Sequence, residues 1–150
     1  MAGRPDFTLD EWATLQRAMM ASGILVSLAD GAVDDDEMYV LTKELRSARF
    51  AHRSQLVHEL ADMPTLNPEP PPSDAYATYW QSGLEAISDA TKIVASKASS
   101  ELPDYREFLI RLAEVVADAN SKGDILGVGA QRRTPNEAKA IDAIRDALTT

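Results

Sequence analysis

Five prolines fall between Met63 and Ser73, in the run Met-Pro-Thr-Leu-Asn-Pro-Glu-Pro-Pro-Pro-Ser. Proline lacks a backbone N–H and its ring collides with the preceding turn, so this stretch resists helix formation and favours an extended spacer. It divides the 150 residues into a first half, 8–63, and a second half, 74–150, joined by 63–73. Halves of about 65 to 75 residues would each bury only a marginal core. The expected organisation is therefore one domain, 1–150, with the halves packed on each other. The spacing Pro68-x-x-Pro71 has no adjacent basic residue of the kind many docking peptides use, and it reads as spacer.

On both sides of this run the apolar residues recur at helical spacing. Thr8-Leu-Asp-Glu11 fits a capping box and opens a helix to about Ala29, with Leu9, Trp12, Leu15, Met19, Ile24, Leu25 and Leu28 on a wide apolar face. Gly31 supplies a left-handed stop. A second helix opens at Asp34-Asp-Asp-Glu37 and turns Met38, Leu41, Leu45 and Ala48 inward. A shorter third covers about His52 to Asp62. After Ser73 the spacing resumes through Tyr76, Trp80, Leu84, Ile87, Ala90 and Val94, as one long helix flexed at Gly83. Another runs from about Pro103 to Ala119, and a glycine-rich loop follows from Asn120 to Arg133. The last helix starts at Thr134-Pro-Asn-Glu137, a capping box with proline at the first helical position. The sum is an all-α bundle of about six to seven helices with no strand.

Composition narrows the function. There is no cysteine, which removes disulfides, thiolate metal sites and cysteine nucleophiles. Acidic residues outnumber basic ones 24 to 15, for a net charge of −9. A negative field opposes nonspecific binding to nucleic acid or anionic lipid and suits a cation or a basic partner. The most apolar stretch, Ala18 to Ala29, is interrupted by Ser22, Gly23 and Ser27, and falls short of the ~20 residues a bilayer span needs. It reads as a buried core helix, with no direct membrane insertion. The opening residues lack the basic and apolar segments of a secretory signal, so the cytoplasm is the expected location.

The two halves share a plan. Ala21 to Gly31 is an apolar helix end running into Ala29-Asp30 and then the acidic start Asp34 to Glu37. Leu109 to Ala119 ends in Ala117-Asp118 and leads to a capped helix with Glu137 at its third position. The stretch Leu28-Ala-Asp-Gly-Ala-Val-Asp-Asp-Asp-Glu37, and more loosely Leu112 to Asp118 with Thr134 to Glu137, resembles the tellurite-resistance TerB-like family. The second copy departs from the pattern: Asn120 to Arg133 stands where an Asp-Gly turn would follow Ala117. The resemblance implies a compact helical domain of two pseudo-symmetric halves whose acidic residues gather into one cation site. It also implies a noncatalytic role in tellurite resistance or a related stress response, with a protein partner, one candidate being a membrane protein of that system.

The candidate ligands are Asp30, Asp34, Asp36 and Glu37 from the first half, and Asp118, Asp124 and Glu137 from the second. Carboxylate oxygens are hard donors that suit Ca²⁺ or Mg²⁺. A plainer account exists for several of them, because acids at helix N-termini cap free N–H groups and complement the macrodipole. That account covers Asp34, Glu37 and Glu137. It does not cover Asp30 and Asp118, which sit at helix C-terminal ends where negative charge opposes the dipole. The spacing is not that of an EF-hand, since Asp35 occupies the place of the loop glycine.

Other features carry less. His52 and His58 are six apart on different helix faces and read as surface or packing residues. Gly123, Gly127 and Gly129 with Arg132 and Arg133 precede a helix, but no strand leads in and no Gly-Lys-Ser/Thr follows, so a mobile loop is expected rather than a nucleotide site. Trp12, Trp80, Tyr76 and Tyr79 read as core or half-exposed packing residues. Two further readings stand beside the cation-binding one: a metal-free module whose acidic face binds a basic partner, and, ranked last, an enzyme using paired carboxylates.

Overall fold

The computed structural model describes residues 3–29, 35–62, 73–119 and 134–149. Among these residues the chain forms six α-helices and no strand: α1 Leu9–Leu28, α2 Asp35–Ala51, α3 Gln55–Leu60, α4 Tyr76–Lys97, α5 Leu102–Ala119 and α6 Pro135–Leu148. The all-α class expected from periodicity is the observed one. No described helix is long and apolar enough to cross a membrane.

The first helix is the hub. From Ala21 to Leu28 every residue of α1 is buried, the pattern of a helix surrounded on all sides rather than lying on a surface. It packs most extensively on α4 and α5, while α2 rests on α5 far more than on α1, and α6 lies against α4, α5 and α1. Helices from before and after the proline run thus interleave, and their buried side chains form one hydrophobic cluster. Tyr105 of α5 is fully buried and donates from its hydroxyl to the Leu15 carbonyl of α1 at 3.0 Å. Burial pushes its phenol pKa far up, because the phenolate would have no water around it.

Two glycines set interhelical distances. A Cβ on Gly83 would lie 3.2 Å from Leu25 Cδ2, and one on Gly23 only 2.6 Å from Leu41 Cδ1. Gly83 therefore marks a close approach of α4 to α1 within an unbroken helix, not the flexure its position suggested. The third helix is also shorter than expected. Ser54 caps it by accepting from Val57 N at 3.2 Å, so α3 starts at Gln55 and leaves His52 and Arg53 in the connection from α2. Leu9, expected on the apolar face, is 77% exposed, because it occupies the first position of α1 beyond the reach of the neighbouring helices.

Candidate functional site

Both capping boxes anticipated from sequence form. Thr8 Oγ1 accepts from Glu11 N at 3.1 Å while Glu11 Oε1 accepts from Thr8 N at 2.8 Å. Thr134 and Glu137 repeat the exchange at 3.1 and 2.9 Å. Their surroundings differ. The Glu11 side chain remains 25% exposed and pairs with Lys97, whose charge holds the Glu11 carboxyl below its ordinary pKa, helped by the Thr8 backbone. Glu137 has no exposure at all.

Glu37 opens the equivalent helix of the first half. Its neighbours Asp35 and Asp36 are exposed, but Glu37 is 2% exposed and turned against the end of α1. There Ser27 Oγ donates to Glu37 Oε1 at 2.8 Å. Glu37 and Glu137 are the two most buried carboxylates of the described residues; Glu101 is next. Both present hard oxygen donors of the kind Ca²⁺ and Mg²⁺ take.

Asp118 lies half-buried in the last turn of α5. It borders an open depression of about 320 Å³ between α5 and α2, with Val40, Lys43, Glu44, Arg111 and Val115 on its walls. Lys43 and Arg111 stand on the same walls, and Arg111 pairs there with Glu44 at 3.2 Å. Of the other candidates, Asp36 is exposed at the start of α2, and Asp30, Asp34 and Asp124 lie outside the described residues. Among the described residues no three His, Asp or Glu side chains gather closely enough to hold an ion. The glycine loop before α6 also lies outside them, as does the proline run up to Pro72.

A second open cleft, again of about 320 Å³, lies further along the same α2–α5 groove and was not visible in the sequence. Arg53 pairs with Asp104 at 2.6 Å and Glu107 at 3.2 Å, and Arg111 with Glu44 at 3.2 Å. Every carboxylate on the cleft wall is thus engaged by a guanidinium. His52 stands among them with its ring edge-on to Phe108, centroids 5.3 Å apart, and its Nδ1 accepts from Ser54 N at 3.0 Å. Burial lowers its pKa, with Asp104 pulling the other way. His52, read from sequence as a surface or packing residue, sets its ring against Phe108. The pairings that build this cleft span 51 and 54 residues of chain, beyond any local pattern.

Comparison with protein-family models, with curated proteins and with solved structures returns no match.

Proposed function

We propose that this chain is a noncatalytic, TerB-like helical module of the cytoplasm that takes a divalent cation, Ca²⁺ or Mg²⁺, at its acidic turns. The observation that carries this reading is the burial of Glu37 and Glu137. The repeat makes these two positions equivalent, and they are the two most buried carboxylates among the described residues. Capping alone does not require burial, since Glu11 makes the same reciprocal bonds while partly exposed. Moving a carboxylate out of water costs several kcal/mol, about that much even after relaxation, and a bound cation offsets it.

In this reading Glu37 and Glu137 are the inner ligands, and Asp30, Asp34 and Asp124, which lie outside the described residues, complete the shell; Asp36 and Asp118 stand apart from it, since no three such side chains gather among the described residues. The ion neutralises clustered carboxylates and fixes the angle between the halves, which sets the shape of a surface for a protein partner. By the resemblance, that partner belongs to tellurite resistance or a related stress response and includes a membrane protein. The paired state of every carboxylate in the His52 cleft supports the noncatalytic part, because acid–base chemistry needs a group free to exchange its proton.

The test is thermal unfolding with EDTA, Ca²⁺ or Mg²⁺. An ion at one hundred times its dissociation constant should stabilise the fold by about 2.7 kcal/mol. Glu37→Gln combined with Asp30→Asn should abolish the response, and Glu137→Gln should weaken it. A melting temperature indifferent to millimolar Ca²⁺ and Mg²⁺ would overturn the reading in favour of a metal-free interaction module.

A further inference from the structure

The outward face of α2 carries a stripe that the acidic turns do not use. Tyr39, Lys43, Arg46 and Phe50 recur at spacings of four, three and four. At 3.6 residues per turn they fall within an arc of about 60°, and at 1.5 Å per residue they span about 16 Å. The opposite side of the helix is the buried one, with Met38, Leu41, Leu45 and Ala48. Tyr39 and Phe50 are 68% and 76% exposed, and Leu9 is the one other large hydrophobic side chain so open among the described residues.

The cations of this part of the helix differ in their pairing among the described residues. Arg49 is held by Asp62 at 2.9 Å and lies over the Phe50 ring at 5.3 Å, and Arg53 is held by Asp104 and Glu107. Lys43 and Arg46 are exposed, and no ion pair involves them among the described residues. On a chain of net charge −9, two exposed cations without an ion pair among the described residues, flanked by two exposed aromatics, form a basic stretch beyond the exposed Asp35 and Asp36 that open the helix.

We propose that this stripe docks an acidic amphipathic helix of another protein. Two apolar side chains about 16 Å apart seat against Tyr39 and Phe50, and carboxylates between them pair with Lys43 and Arg46. Exposed aromatics next to guanidinium groups are the residues that most often carry interface energy, and opposite charges at the rim fix register. A second copy of the chain fits poorly. Antiparallel pairing of two α2 stripes would set Tyr39 against Phe50, but also Lys43 against Arg46, so like charges would meet. Nucleic acid and anionic membranes need a positive field over a larger area than two side chains on an acidic protein provide.

The experiment titrates the full-length ¹⁵N-labelled protein with a synthetic peptide of about 16 residues, long enough to cover the stripe. In this peptide, leucines eleven positions apart flank glutamates; a second peptide has lysines in their place. The glutamate peptide should shift the amides from Tyr39 to Phe50, and the lysine peptide should not. Lys43→Glu with Arg46→Glu should weaken binding by about tenfold or more, Lys43→Gln with Arg46→Gln by less, and added NaCl should weaken it further. Unchanged circular dichroism in these surface variants excludes a folding defect. The proposal fails if the glutamate peptide produces no shifts, if the lysine peptide matches it, or if charge reversal leaves affinity unchanged. Preference for phosphatidylserine vesicles or duplex DNA, or a dimer that strengthens with salt, would also overturn it.

Discussion

Ser27 Oγ donates to Glu37 Oε1 across 2.8 Å, and both side chains are buried. The bond ties the last turns of α1 to the first turn of α2, with Glu37 supplying the negative charge that a helix N-terminus favours. Ser27→Ala removes the donor and leaves the carboxylate with one partner fewer. The expected loss is about 1–3 kcal/mol, because a buried charged acceptor is costly to leave under-satisfied. Urea unfolding of the two proteins would measure it. An unchanged midpoint would mean that Glu37 draws its compensation elsewhere.

Glu101 plays a comparable part at the other end of α2. Its Oε1 accepts from Ser54 Oγ at 3.2 Å and from Leu56 N at 3.1 Å, so a residue of the second half caps α3 in the first. Glu101→Ala should cost about 1.5–3 kcal/mol, the range for hydrogen bonds to a charged group. Glu101→Gln keeps an acceptor oxygen and should cost less. Amide hydrogen exchange offers a local readout: Leu56 and Val57 should lose protection in the alanine variant before the core of α1 does.

His52 makes stability depend on pH in a definite direction. Its pKa in the folded chain lies below the ordinary value of 6.5, chiefly because burial disfavours the imidazolium. Above that value both folded and unfolded chains hold it neutral, so it contributes nothing there. As pH falls below 6.5 the unfolded chain takes up the proton first, and stability drops until the folded pKa is passed. His52→Gln should flatten the part of the pH profile that lies just below pH 6.5. An NMR titration of the His52 ring with an apparent pKa at or above 6.5 would contradict the burial argument.

Much of the fold could be read from residues close together in the chain. Thr8 with Glu11 and Thr134 with Glu137 are three apart, and their capping boxes form as the side-chain types require. The apolar spacing from Met38 to Ala48 names the buried side of α2, and the crowded run from Ala21 to Leu28 identifies α1 as the central helix. The candidate site was legible only as a list of acids. Nothing local separates Glu11 from Glu137, yet one is partly open beside Lys97 and the other is sealed.

Sequence by itself determined which segments are helical, where the capped helices α1 and α6 start and which side of most of them seeks cover, because capping and periodicity act over one or two turns. Tertiary structure alone decided which carboxylates lose their water, because burial depends on helices that arrive from far along the chain. It set Glu37 beneath Ser27, brought Glu101 to Ser54 across 47 residues and placed Leu25 against Gly83. It also left Tyr39, Lys43, Arg46 and Phe50 facing outward, since no described helix packs over that side of α2.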